Sequence, residues 1–360
     1  MQSTQMNDEL KGLNEMTGRL SFASDYMEGA HPSILERLAE TNYLKTSGYG
    51  LDEYCDAAKA KIRAACGAPD AEVFFLVGGT QTNATVIDAL LKRYQGVIAA
   101  DTGHIAVHEA GAIEFGGHKV LTLPNQNGKI AAAQIEAYLN AYLNDATRDH
   151  TVMPGMVYIS HPTEYGTLYS RAELAAISAA CHKHGIALYL DGARLAYALA
   201  CPENDVTLND LAELCDVFYI GGTKCGALFG EAVVAKPGLL PHFFTIIKQH
   251  GALLAKGWLL GLQFDALFTD GRYESIGQNA IRTADQLRNA LRWHGFELCF
   301  DAPANQVFCA MDDARLAQLS RQVEFSVWEK LRDGRTIIRF VTSWATRMAD
   351  VEALDRLLDA

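Results

Sequence analysis

Three places in this 360-residue chain set charged or hydroxyl side chains among glycines directly after a short apolar run. Gly78-Gly79-Thr80-Gln81-Thr82-Asn83 follows Val73–Val77. A glycine turn opening a helix lets backbone N–H groups and the positive helix end approach an anion. A plain tight turn with Thr80 or Thr82 as N-cap fits the same residues. The run matches neither G-x-G-x-x-G nor the P-loop, so dinucleotide and ATP readings lose ground. Asp191-Gly192-Ala193-Arg194 follows Ala187-Leu188-Tyr189-Leu190. A carboxylate there is costly to bury without a partner. Asp191 can face a protonated ring nitrogen while Arg194 forks onto a carboxylate, or the two can pair with each other. Gly221-Gly222-Thr223-Lys224-Cys225-Gly226 follows Val217-Phe218-Tyr219-Ile220. A desolvated lysine at such a place is a nucleophilic amine suited to Schiff-base chemistry; the plain alternative is a surface lysine in a glycine loop. His104 and His108 would share a metal-facing side if helical. The turn Asp101-Thr102-Gly103 and the want of a third ligand argue against a metal. Cys181-His182-Lys183-His184 ends a helix, where cationic side chains suit the negative dipole end.

In an open α/β sheet, ligands bind beyond the carboxyl ends of the strands, so the elements ahead of these residues decide whether they meet. Val73–Val77, Val97–Ala100, Lys119–Leu123, Met156–Ser160, Ile186–Leu190, Val217–Ile220 and Ala232–Ala235 read as seven buried strands. Between them run helical patterns, one placing Val86, Ile87, Leu90, Leu91 and Tyr94 on one face. Another has a Ser170/Glu173 capping box, the stripe Leu174, Ile177, Cys181 and a stop at Gly185. The alternation predicts an α/β fold with a mostly parallel seven-stranded sheet covered by helices. A long helical stretch, Leu240 to Phe268, leads to a small C-terminal α+β domain. That domain is expected to hold a helix Ile281–Trp293, strands near Phe296–Phe300, Val307–Met311 and Ile337–Val341, and a last helix Val351–Leu358.

A formal charge of -12 and a pI near 5.4 argue against a nucleic-acid partner, which needs a basic face. The eight cysteines show no C-x-x-C spacing and several sit in apolar stretches, which reads as buried reduced thiols. Met1 to Leu20 is polar and lacks the apolar core of a signal peptide, and no run is long enough to span a bilayer. A cytoplasmic protein with no membrane partner is the expectation.

Taken in order, a Gly-Thr turn, an Asp at a strand end and a lysine 33 residues later (224 − 191) match the layout of fold-type-I pyridoxal-phosphate (PLP) enzymes. PLP needs an anion site, a carboxylate that keeps its pyridine protonated, and a lysine for its aldehyde. Further pieces sharpen the resemblance: Phe22-Ala23-Ser24-Asp25, Ser47-Gly48-Tyr49-Gly50, Gly103-His104, Glu109-Ala110-Gly111-Ala112, Thr163-Glu164-Tyr165-Gly166 and Arg339-Phe340-Val341-Thr342-Ser343-Trp344. With these the chain resembles the low-specificity L-threonine aldolases of the β-eliminating lyase superfamily, over nearly its whole length after about residue 20.

The resemblance implies PLP-dependent retro-aldol cleavage of L-threonine or L-allo-threonine to glycine and an aldehyde. It implies Lys224 as the cofactor lysine, Asp191 at the pyridine nitrogen, Gly79 and Thr80 at the phosphate, and His104 stacked on the ring near the substrate hydroxyl. Ser24, Arg194 and Arg339 would bind the substrate carboxylate. A homodimer or homotetramer with shared sites follows, Lys248 or Lys256 reaching a neighbour's phosphate and Tyr49 lying near its site. Many relatives carry a histidine where this chain has Thr163, a substrate-contact position; His161, two residues earlier, would share its face on a strand. The implied domains are an arm over 1–30, a large PLP-binding domain over 31–245, and linking helices with the small domain over 246–360. The rival readings are a β-eliminating lyase or aminotransferase on the same frame, and a non-catalytic nucleotide-binding α/β protein.

Overall fold

All seven apolar runs form strands of one sheet in the computed structural model, which describes residues 18–359. The first seventeen residues of the expected arm, and with them most of its polar N-terminal stretch, lie outside the described residues. The chain divides into two compact units. The larger is residues 28–278; the smaller joins the described residues up to Met27 with those from Asn279 onward.

The strands of the larger unit are β1 (Glu72–Leu76), β2 (Gln95–Ala100), β3 (Val120–Leu123), β4 (Met153–Ser160), β5 (Ala187–Asp191), β6 (Val217–Gly221) and β7 (Glu231–Ala235). They lie side by side in the order β1-β7-β6-β5-β4-β2-β3. The neighbours from β6 through β5, β4 and β2 to β3 pair in parallel, whereas β7 is antiparallel to both β6 and β1. One edge of the sheet therefore collects six carboxyl ends and the amino end of β7. Every residue of β6 and β7 is buried, as helices on both faces require. At that edge a Cβ on Gly192 would stand 2.1 Å from the Tyr219 carbonyl oxygen, and one on Gly221 2.4 Å from that of Ala193. Glycine alone lets the ends of β5 and β6 come so close.

The helix Gly79–Leu90 buries Val86 and Ile87 against the sheet, but it stops at Leu90. Tyr94 is therefore outside the helix and exposed, contrary to the helical spacing. Ser170 and Glu173 do form a capping box at the start of Arg171–Lys183, and Gly185 ends that segment at φ 66°. The helical stretch expected over Leu240 to Phe268 comprises two helices, Phe243–Gln249 and Trp258–Leu267. Gly251 turns the chain at φ 67°, and Gly257 passes so close to Gly50 that a Cβ would meet its nitrogen at 2.4 Å.

In the smaller unit the strands Ser326–Lys330, Thr336–Val341 and Gln306–Met311 form an antiparallel sheet in that order. The helices Gln278–Trp293 and Met348–Leu358 supply its apolar cover, with Leu287, Leu291, Val351 and Leu354 buried. Leu20–Ser21 pairs with Val323–Glu324. The strand expected near Phe296–Phe300 shrinks to one bridge, Leu298 to Cys309. Among the described residues no helix is long and apolar enough to cross a membrane.

Candidate active site

Asp191 ends β5 and lies 5% exposed at the loaded edge of the sheet. Four donors surround its carboxylate. Tyr219 Oη and the Ala193 N–H donate to Oδ1 at 2.5 and 3.0 Å. Tyr158 Oη and Asn83 Nδ2 donate to Oδ2 at 2.6 and 3.0 Å. Burial by itself raises the acid, but the charge of His104 and the Tyr158, Tyr219 and Ala193 hydrogen bonds outweigh it and hold Asp191 below the ordinary value. Burial, then the nearby Asp191, pushes the phenols of Tyr158, Tyr189 and Tyr219 far up, so they stay protonated as donors.

His104 opens a one-turn helix after β2, in a loop drawn to the same place. Its Nδ1 lies 2.7 Å from Glu109 Oε1, and that oxygen also accepts from Asn83 Nδ2 at 2.7 Å. The His104 backbone N–H donates to Glu164 Oε1 at 2.8 Å, and Ser160 Oγ donates to the same oxygen at 2.7 Å. Ser160 Oγ in turn lies 3.2 Å from Tyr158 Oη. A closed ring of polar contacts results: Asp191, Asn83, Glu109, His104, Glu164, Ser160, Tyr158 and back to Asp191. Burial, with Asp191 nearby, raises the Glu164 carboxyl although Ser160 and the His104 N–H pull it down. A carboxylate at Nδ1 requires the proton there, which leaves Nε2 of a neutral His104 as the acceptor.

The lysine loop joins this group through its backbone. The Gly221 N–H donates to the Gly192 carbonyl at 3.0 Å, and Tyr197 Oη donates to the Lys224 carbonyl at 2.5 Å. Lys224 is half-buried in a turn past β6. On the other side, Gly78 caps the helix Gly79–Leu90 with no side-chain hydrogen bond, leaving its first N–H groups to a ligand or solvent. Gly79 is close enough to Tyr219 that a Cβ would sit 3.2 Å from Oη, the oxygen that donates to Asp191. An uncapped helix start, an ionised acid and a lysine thus share one edge, and this donor set fits a phosphorylated pyridine aldehyde. Arg194, half-buried, caps the helix Leu195–Ala200 three residues beyond Asp191.

A family model described as beta-eliminating lyase matches residues 21–328. The chain belongs to that family. A low-specificity L-threonine aldolase from Pseudomonas sp. (strain NCIMB 10558) is 33% identical over 341 residues, spanning 92% of this chain and 95% of the relative. A solved threonine aldolase from Leishmania major superposes with a TM-score of 0.90 at 44% identity, covering 94% of this chain and 99% of that one. The aspartate aminotransferase of Thermus thermophilus shares the fold at 15% identity, with a TM-score of 0.71 and coverage of 98% and 94%. The fold is accordingly the fold-type-I transferase architecture expected from the sequence.

The other family-derived positions lie on several elements of the two units. In the smaller unit, Arg339 donates to Gln306 Oε1 at 3.0 Å and Ser326 Oγ at 3.3 Å, and its guanidinium lies over Trp328. Ser326 Oγ donates to the Ala23 carbonyl at 3.0 Å, so the same unit brings Arg339 near Ser24, whose buried Oγ has no hydrogen-bond partner there. Tyr49, Lys248 and Lys256 are exposed; Lys248 Nζ sits 4.6 Å over the Tyr49 ring, and the Tyr49 N–H donates to the Ala255 carbonyl. Thr163 is buried, its hydroxyl 2.6 Å from that of Thr167. β4 ends at Ser160 and a cis His161-Pro162 bond follows, so strand alternation does not relate His161 to Thr163. His161 is fully buried, Nε2 on Asn204 and Nδ1 accepting from the Tyr169 N–H, and burial lowers it to about 4.

The sequence reading missed Asn83, Glu109, Tyr158, Ser160, Glu164 and Tyr219 as members of the site. One signal was present: Tyr158 and Tyr189 each precede a polar strand-end residue by two positions, on the same strand face. Among the described residues no group of three or more His, Cys, Asp or Glu is arranged to hold a metal.

Proposed function

We propose that this protein cleaves β-hydroxy-α-amino acids such as L-threonine or L-allo-threonine to glycine and an aldehyde, with PLP held on Lys224. The observation that carries the reading is the meeting of Lys224, an ionised Asp191 and the uncapped Gly79–Leu90 helix start at one sheet edge. PLP, when bound, supplies an electron sink conjugated to the carbon whose bond breaks. Lys224 gives the amine that anchors the aldehyde. Asp191 holds a proton on the pyridine nitrogen, and its four donors keep it anionic for that task. The N–H groups of Gly79 and Thr80 and the positive helix end hold the phosphate. Arg194 forks onto the substrate carboxylate, which fixes which bond at the α-carbon faces the sink. In the neutral form of His104, Glu109 keeps its proton on Nδ1, so Nε2, or a water it holds, can take the β-hydroxyl proton.

The exposed Tyr49, Lys248 and Lys256 group supports a homo-oligomer, dimer or tetramer, in which these residues complete a neighbour's site. Exposed Tyr43, Leu44, Leu51 and Phe244 supply apolar surface for such an association. The eight free cysteines, seven of them buried, agree with a cytoplasmic setting. The deciding experiment supplies L-threonine and L-allo-threonine and measures acetaldehyde and glycine. Borohydride is expected to fix the cofactor on the peptide carrying Lys224, and Lys224→Ala to lose both the tether and the aldehyde. Pyruvate and ammonia from an amino acid, with acetaldehyde from neither threonine, would turn the assignment to a β-eliminating reaction.

A further inference from the structure

A second buried acid, Glu231, stands beside the Lys224 loop and has no part in the chemistry above. It opens the reversed strand β7, in register with Leu76 on one side and Gly221 on the other, and is 3% exposed. Its Oε2 accepts the Gly222 N–H at 3.0 Å, and the Thr223 hydroxyl hydrogen-bonds to the same carboxyl. That hydroxyl accepts the Gly230 N–H at 3.0 Å, while the Gly222 and Thr223 N–H groups both reach the Gly230 carbonyl, at 3.0 and 3.1 Å. The two residues before Lys224 are thus fastened to Gly230 and Glu231. An amide could fasten them equally well, and a buried carboxyl costs more than an amide. Its acidity calls for a reason.

We propose that Glu231 is a positioning residue and charge partner for Lys224, fixing the loop that carries the amine and setting, by its own protonation, how readily that amine is charged. The proposal rests on the reading of Lys224 as the cofactor lysine. Burial raises the Glu231 carboxyl to about 8; Asp191 adds to this, while Thr223, the Gly222 N–H and the charge of Lys224 oppose it. Other titratable groups that feel it include the phenols of Tyr189, Tyr219 and Tyr273, which burial keeps protonated. Asp191 is held as an anion. Among these groups Lys224 is the one whose charge answers that of Glu231. A carboxylate at 231 favours the cationic nitrogen; a neutral carboxyl withdraws that support.

The test compares the parent with Glu231→Gln, which keeps an acceptor for Gly222 but cannot ionise. In the holoenzyme the pH titration of the cofactor's absorbance is expected to move its midpoint down by about one pH unit, the loss of one nearby opposite charge. In the full-length chain freed of cofactor, competitive acetylation of Lys224 read by peptide mass is expected to shift the same way. Should Glu231→Gln not fold, Glu231→Asp carries both titrations, with a smaller downward shift as the carboxylate retreats by one methylene. A folded Glu231→Gln whose two titrations superimpose on the parent's would overturn the proposal. A shifted acetylation curve in a protein that forms no chromophore would uphold the coupling and defeat the cofactor reading instead.

Discussion

Asp191 and Glu231 sit at the same sheet edge, 5% and 3% exposed, yet their surroundings drive them in opposite directions. Asp191 accepts four hydrogen bonds and faces His104, and it lies below the ordinary carboxyl range. Glu231 has the Gly222 N–H, the Thr223 hydroxyl and the charge of Lys224, and it rises to about 8. Depth of burial is nearly equal, so it cannot explain the divergence. The charge of His104, together with the number and placement of donors, does. A fold that needs one permanent anion and one acid that changes state can build both from the same strands, by adding phenols to the first and withholding them from the second.

The largest effect should come from removing the permanent charge. Asp191→Asn is expected to lower kcat/KM for threonine cleavage by about 10²- to 10³-fold, the scale of losing one preorganised electrostatic contact. Glu231→Gln, measured alongside, should cost less at its best pH. A loss for Glu231→Gln equal to that of Asp191→Asn would erase the distinction between the two acids. Next come the phenols. Tyr219→Phe or Tyr158→Phe removes a donor to a buried carboxylate and should cost about 1.5–3 kcal/mol in urea unfolding. A further effect is on the pH dependence of stability. Glu231 keeps its proton in the folded chain from the ordinary 4.5 to about 8, so in that window the folded state binds more protons and this group's contribution falls as pH rises. Asp191 has the opposite sign: its contribution is present above the ordinary carboxyl value and is lost as pH falls through its lowered folded value. Melting scans should therefore show Glu231→Gln gaining on the parent between about pH 5 and about pH 8, with Asp191→Asn showing no such gain.

Most of the seven strands were legible because they are covered on both faces and so read as continuous apolar runs. Runs of that kind end abruptly, and Asp191 and Lys224 stand where they end. Elements with one dry face were harder. Ser326–Lys330, with Val327, Glu329 and Lys330 exposed, carries too weak a pattern to register as a strand. The break between Phe243–Gln249 and Trp258–Leu267 depends on Gly257 pressing on Gly50, a contact distant in sequence. The partners of Asp191 were hidden for another reason. Tyr158 and Tyr219 lie inside strands where an aromatic ring is sufficiently explained by the core, and only the three-dimensional register turns their hydroxyls onto the acid. Glu231 fell just outside the expected strand Ala232–Ala235, and sequence alone does not tell which end of β7 meets the other six.

The reversal of β7 has a practical meaning for anyone adapting the molecule. Five of the six outgoing strands hand the pocket residues on their way out, followed by loops that on the proposed function would grip ligand, so altering them is expected to disturb recognition. The seventh hands over a residue on its way in, with the rest of the strand locked behind it. That gives an engineer one lever on working acidity whose handle lies apart from the parts that choose the substrate.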